Sequence, residues 1–514
     1  MHWFTSLRDK SLCYFRQLFI RVRRILINGP WNLAAFFCRL MYGFHVVGAE
    51  NIPPEGPFIL VLQERAPIAM LVSGWISIVL LNRVLSDGTC DTMSYLQEDL
   101  FAFGYFREAL GPRARGHYAA LIPHSAGRLA LSLLDGYRVL RDGGIVIMNP
   151  EGDAPWDGRP LPIGHALAWL GLYSAAPIVP ALCTVGAYDI WPRWQPGPNL
   201  RGRMGLKVGQ PFRLCDVPQE RVTEEDLVGA TARIRAEFDQ IVYGPGGLSE
   251  WAGPPLRDGR PVEQPIWLCR ASDPVMMSPE VNSTSIPLWK RGLALLLWRC
   301  PVCGTSDALL HERPRFRPQT LRCQACGVRW QVQHVVGKDF RLRVVEGPAD
   351  LVGLDMAVST WYDEMKRGFQ PTPISASGVD LLAGEEVYLE ARDVPLLPYR
   401  PNALFEGWTE REAPQAQPRG RHQLADWASI GEGRLLLTSQ RLLWQGPQGE
   451  VDFMWPSTTA ISIFMLNVLG IRYGTAPYRL LLGQEMGLKW LTYAGTLAQQ
   501  VPRQSGHKCT VSPF

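Results

Sequence analysis

The sequence predicts an α/β layered domain, then a small four-cysteine module, then a β-rich domain. Three observations carry this. Between residues 46 and 245, short apolar runs bounded by Gly or Pro alternate with a stretch of helical apolar spacing, as buried strands alternate with the helices that cover them. Cys300-Pro-Val-Cys303 and Cys323-Gln-Ala-Cys326 form two Cys-x2-Cys pairs separated by nineteen residues. From 379 to 500, strand-like runs recur between turn residues.

Composition limits what this chain does. At 514 residues it is too long for one ordinary core. Hydrophobic content of 46% beside 19% charged residues excludes a disordered chain and a polytopic membrane protein. A net charge of +4 is small for this length, and no nucleic-acid partner is expected. Eighteen tryptophans fit a membrane interface and packed cores equally. The cysteines outside the two pairs are scattered, as buried thiols are in a reducing compartment. Arg16, Arg21, Arg23 and Arg24 interrupt the first apolar region, so no secretory signal is visible. No run reads as a membrane span. The expected location is the cytoplasm, with peripheral attachment to the inner face of the membrane as a further option.

Along the chain, residues 1–45 form an amphipathic segment in which arginines alternate with Phe15, Phe19, Phe36 and Phe37. Such a helix lies in a lipid interface or packs on the following domain. Within 46–245, Phe58–Leu62, Gly144–Met148 and Ile178–Cys183 read as buried strands. Ala126–Leu140 reads as a helix that Gly143-Gly144 ends. Residues 246–297 are rich in Gly, Pro and Ser and read as a linker or wrapping loop. The cysteine module covers 298–347. In the last domain, 379–500, the expected strands are Glu386–Glu390, Gly433–Thr438, Arg441–Trp444, Ala460–Phe464, Gly470–Tyr473 and Tyr478–Leu482, with a helix at Leu488–Gln499.

Three segments of the first domain carry a resemblance. Gly48-Ala-Glu-Asn-Ile-Pro opens it, Asn149-Pro150-Glu151-Gly152 follows, and Pro177-Ile178-Val179-Pro180 comes last. In order and spacing the domain resembles the glycerolipid acyltransferase family, the 1-acylglycerol-3-phosphate acyltransferases. The resemblance implies an acyltransferase-like α/β fold, acyl-CoA or an acyl-carrier thioester as donor, a lipid or alcohol acceptor, and membrane lipids as partners. In that family the first strand runs into Asn-His-x-Ser-x-x-Asp, whose His and Asp are the catalytic pair. Here the stretch is Gln63-Glu64-Arg65-Ala66-Pro67-Ile68-Ala69, which puts Glu64 at the His position and Ala69 at the Asp position.

Acyl transfer needs a base for the acceptor hydroxyl and donors for the oxyanion. A free carboxylate titrates near ~4.3, so Glu64 needs burial to become a useful base, and a paired Arg65 pushes the other way. Ala69 orients nothing. His117, His124 and His165 are the other bases within the domain. On the acceptor side the resemblance implies Arg115, with Arg113 as the neighbouring choice, and the turn Pro150, Glu151 and Gly152. Asp153-Ala154-Pro155 replaces the family's hydroxyl and basic positions, and an acidic Asp153 repels phosphate, which points to an uncharged acceptor.

Cys300, Cys303, Cys323 and Cys326 put paired thiolates on two tight turns, the pattern of a closed tetrahedral zinc site. Gly304 and Gly327 follow each pair and free the backbone there. Four protein ligands leave no open position, so the expected Zn2+ is structural. The module resembles a zinc ribbon; disulfide pairing is the alternative in an oxidising setting. In the last domain, Leu382–Val387 and Gly433–Trp444 resemble the opening strands of a pleckstrin-homology-like or GRAM-like domain, which implies a lipid or protein partner. Two functions fit the whole. One is divergent acyl transfer at a membrane surface; the other is a catalytically inactive acyltransferase fold serving as a lipid- or protein-binding adaptor.

Overall fold

The structure is a computed structural model. It describes residues 36–63, 92–97, 117–122, 126–152, 154–245, 247–248, 251–262, 286–315, 317–398, 429–464, 466–474, 476–501 and 509–512, with backbone alone for 92–97, 117–122, 126–132, 464 and 512. The described residues form a mixed α/β molecule built on three sheets.

The first sheet contains β1 (His45–Val47), β2 (Phe58–Leu62), β3 (Thr92–Gln97), β4 (His117–Ile122), β5 (Ile145–Met148), β6 (Ile178–Gly186) and β7 (Met204–Val208). Their order is β1-β7-β6-β2-β5-β3-β4. The run from β6 to β4 is parallel, while β7 lies antiparallel to β6 and carries β1 parallel to itself. All of Phe58–Leu62 is buried because both faces of the sheet are covered. Ile59 and Val61 join Val139 and Leu140 of helix α1 (Ala126–Arg141) and Leu167, Leu170, Ile234 and Phe238 of helices α2 (Ala166–Ser174) and α3 (Glu224–Val242). Phe58, Leu60 and Leu62 point the other way, toward Tyr42, Phe44 and Leu206.

The second sheet is antiparallel and contains Leu309–Glu312, Thr320–Cys323, Arg329–His334, Phe340–Glu346 and Leu354–Ala357. Its edge is the hairpin Leu256–Arg257 with Arg260–Pro261. Asp258 and Gly259, at φ 48° and 80°, make its two-residue turn, the conformation that matches strand twist. The range read as a linker, 246–297, therefore carries structure. Besides the hairpin, Leu288–Lys290 and Gly292–Leu295 form short 3-10 turns, and Leu293, Leu296 and Leu297 are fully buried.

The third sheet is wound around Val387–Pro398. That strand pairs with Glu432–Thr438 through its first part and with Ala476–Leu481 through Leu396–Pro398. Its register slips between Ala391 and Val394, and a bulge of this kind lets one strand turn a corner between two halves of a sheet. Helix Gly487–Gln500 lies over the strands Thr458–Phe464 and Val468–Tyr473.

One apolar core runs through all three sheets, from Ile59 and Leu170 through Trp298 and Trp330 to Leu437 and Trp490. Polar contacts reinforce the seams. Asp189, fully buried after β6, accepts from Gly337 N at 2.9 Å and pairs with His334 Nε2 at 3.1 Å. Arg159 joins Asp157 to Asp363 of the helix Val358–Lys366. Burial opposes the charge on Arg159, yet its bonds to Asp363 and Asp157 hold its pKa above the ordinary value. Lys489 reaches Asp307, and Trp298 packs on Phe369 and Tyr493 with ring centroids 5.2 and 5.7 Å away.

Candidate functional site

Two places in the described residues gather chemistry. The first is the carboxyl-terminal edge of the parallel strands β2 and β5, where open α/β sheets hold their ligands. β2 and β5 pair in register, Val61 beside Met148, so Gln63 and the turn Asn149–Gly152 leave the sheet side by side. Asn149 shapes that turn. Its side-chain oxygen accepts from Glu151 N at 3.1 Å, its backbone oxygen accepts from Gly152 N at 3.3 Å, and Gly152 sits at φ 72°. An asparagine that bonds its own backbone two residues on is a turn-former.

Glu151 then turns inward. Gln63 Nε2 donates to its Oε1 at 2.6 Å, and Leu161 N donates to its Oε2 at 3.1 Å. Gln63 is held in turn by its own backbone, with N donating to Ala181 O at 3.3 Å and O accepting from Cys183 Sγ at 3.4 Å. Both side chains are buried. Gln63 Oε1 is buried with no hydrogen-bond partner among the described residues, an acceptor unspent at this edge.

Of the residues expected here, Pro150, Glu151 and Gly152 stand on the turn as described, while Glu64, Arg65, Ala69, Arg113, Arg115, His124 and Asp153 lie outside the described residues. His117 is described in backbone alone, on β4. His165 is exposed where α2 begins, and its Nδ1 meets Thr231 Oγ1 at 2.8 Å, so it does not join the Glu151 turn. Gln63 was not among the expected site residues. Its signal was its place directly before Glu64, in the slot of the family Asn.

The second place is the cysteine cluster. The Sγ atoms of Cys300, Cys303, Cys323 and Cys326 all lie within 4.8 Å of one another. Cys300 and Cys326 are 3.9 Å apart, and Cys303 and Cys323 are 3.7 Å apart. A tetrahedral ion with Zn–S bonds of about 2.3 Å requires sulfur–sulfur edges of about 3.8 Å, so the donor set fits zinc in both number and spacing. Gly304 and Gly327, at φ 75° and 77°, let the chain fold back so that their N–H groups donate to Cys300 O and Cys323 O. Cys326 N approaches Cys323 Sγ at 3.5 Å, the backbone donor a thiolate needs. All four sulfurs would be spent on the ion, so it would fasten the loop ends and leave no ligand position for a reacting molecule. Among the described residues this is the one group of metal-ligating side chains placed for an ion.

No protein-family model matches this chain, and no curated protein does. Among solved structures, part of the chain is similar to the 1-acyl-sn-glycerophosphate (LPA) acyltransferase PlsC from Thermotoga maritima, with 18% identity and a TM-score of 0.31 over 45% of this chain and 88% of that one. Another part is similar to the Vps36 N-terminal PH domain, with 13% identity and a TM-score of 0.16 over 25% of this chain and 89% of that one. Both likenesses are weak and concern fold alone. Among the described residues no helix is long and apolar enough to cross a membrane.

Proposed function

We propose that this chain is a divergent acyltransferase-fold protein that handles an acyl thioester at the carboxyl-terminal edge of its first sheet while resting on a membrane surface. The observation that supports this most is the Gln63–Glu151 contact, which joins segments 88 residues apart where parallel strands end. These are the two segments in which the resemblance places the catalytic and acceptor motifs. Gln63 Oε1, buried and unpartnered among the described residues, offers an acceptor for a donor on the bound molecule. Membrane contact is supported by the helix at 36–42. Its Cys38 and Tyr42 face the core, while Phe36, Phe37 and Leu40 are 58%, 49% and 71% exposed. An apolar face turned outward in this way suits the acyl boundary of a bilayer.

In the transfer reading Glu64 takes the proton of the acceptor hydroxyl, the oxygen attacks the thioester carbonyl, and the thiol leaves carrying that proton. A second reading, binding without turnover, is favoured by Glu151. Both of its oxygens already accept hydrogen bonds, so it serves as scaffold, and Ala69 supplies no orienting acid.

Thiol release from acyl-CoA by the full chain separates the two. Transfer predicts release that Glu64→Gln lowers by about 10²-fold or more, the loss expected on removing a general base. Release absent from the natural chain but gained by the triple variant Gln63→Asn, Glu64→His, Ala69→Asp supports binding without turnover. Release that Glu64→Gln leaves unchanged removes Glu64 from the reaction.

A further inference from the structure

A cleft of about 430 Å³ opens between the segment Trp194–Asn199, which follows β6, and the second sheet. Its size falls within the range of small-molecule sites, roughly 300–1,000 Å³. No residue of the Gln63–Glu151 edge and no cysteine of the metal cluster lines it. Its apolar wall includes Trp194 and Phe340, whose rings meet edge to face at 4.9 Å. Arg313, Arg317 and Gln319 reach it from the loop that joins Leu309–Glu312 to Thr320–Cys323, and Asn199 and His334 complete its polar side.

The charges here do not balance. No Asp or Glu lines the cleft, and neither Arg313 nor Arg317 has an acidic partner among the described residues. Asp189, the carboxylate behind His334, lies outside the cleft lining; its Oδ2 meets both His334 Nε2 and Gly337 N, and its Oδ1 is buried without a partner among the described residues. Arg313 gives one N–H to Lys290 O at 2.6 Å and is otherwise half buried without a counter-ion. Burial alone pushes its guanidinium below the ordinary arginine value. A guanidinium taken from water without an anion costs free energy that an incoming anion restores. Arginine forks match the oxygens of phosphate, and beside them Asn199 is held on His334 Nδ1 at 3.0 Å.

We propose that this cleft binds a phosphate-bearing small molecule, with the phosphate on Arg313 and Arg317 and the apolar part of the ligand against Trp194 and Phe340. This site is independent of the acyl-handling edge. A soluble phosphate ester and a phospholipid headgroup present the same chemistry, so the test separates them. The metal-loaded full chain is titrated calorimetrically with glycerol 3-phosphate, and floated with vesicles of phosphatidylcholine with and without phosphatidic acid.

Binding of the soluble ester alone assigns a soluble ligand; flotation dependent on phosphatidic acid alone assigns a lipid headgroup; both together support the shared chemistry. Arg317→Gln, at an exposed position, should weaken whichever binding is seen by roughly tenfold or more, as loss of a charge-assisted bond does. Arg313→Gln should do the same, with melting temperature and zinc content showing that the fold survives. Arg315→Gln, on the same loop but outside the cleft lining, should leave binding unchanged. Failure of every probe to bind overturns the proposal. So does an equal loss in the Arg315 and Arg317 variants, which would mean that only general charge is being read.

Discussion

Asp339 and His311 are both buried, and their protons pull stability in opposite directions. Asp339 has no exposed surface; Ser359 N donates to its Oδ2 at 3.0 Å, while its Oδ1 has no partner. Burial pushes its carboxyl up to about 7, against the downward pull of the Ser359 bonds. His311 accepts from Leu293 N at 3.1 Å through Nδ1, and burial with the nearby charge of Arg313 lowers it to about 3. The sign follows from proton counts. Between pH about 4 and about 7 the folded state holds a proton on Asp339 that the unfolded state has lost, so this stability is present at low pH and lost as pH rises through 7. For His311 it is the unfolded state that holds the extra proton, so its contribution is present above about 6.5 and lost as pH falls toward 3. Asp339→Asn removes only the first slope. The melting temperature of the variant minus that of the natural chain should therefore rise from pH 4 to pH 7 and level off above it. Parallel profiles would show that Asp339 is ionised in the folded chain throughout.

At the scale of elements, what the sequence makes legible is what local chemistry alone dictates. Phe58–Leu62 is found at its expected residues because a strand covered on both faces must be apolar throughout, and Gly56 with Pro57 marks its start. The strands expected from Gly433 to Leu482 lie close to their expected bounds for the same kind of reason, with alternation and turn residues agreeing. The hairpin Leu256–Pro261 was hidden because strands of two residues show no alternation, and Gly and Pro around them read as linker. The four cysteines were legible because ligand spacing is local to each turn. The pairing of Asp189 with His334 was not, since 145 residues separate them and no pattern connects them. The cysteine element yields its own prediction. Purified chain should carry one zinc, and Cys323→Ser should lose it together with stability, because closing these loops by metal is folding free energy. Metal analysis and thermal melting read both. A full complement of zinc in Cys323→Ser, or none in the natural chain, would contradict the assignment.

At the scale of the molecule, the cysteine module is the middle of a continuous body. Its buried Trp298 and Trp330 belong to the same core as Ile59 and Leu170 on one side and Trp490 on the other. Asp189, Arg159 and Lys489 tie it to both neighbours across the seams. Arg159 and Asp363 are partly exposed, at 36% and 43%, so that pair adds little, about 0.2–1 kcal/mol, and the apolar core does most of the joining. The middle module thus holds the Gln63–Glu151 edge and the last sheet in one frame, and the cleft proposed to take phosphate lies between it and the segment Trp194–Asn199.

The proposed function requires an acyl thioester bound at the Gln63–Glu151 edge, with or without turnover, and binding tests it directly. The measurement is a calorimetric titration of the full chain with a non-hydrolysable thioether analogue of palmitoyl-CoA, beside Glu151→Ala with its zinc content and melting checked. One site per chain is expected, weakened by roughly tenfold or more in the variant, as loss of a buried carboxylate that fixes the site should do. No binding, or equal binding by the two proteins, would contradict it.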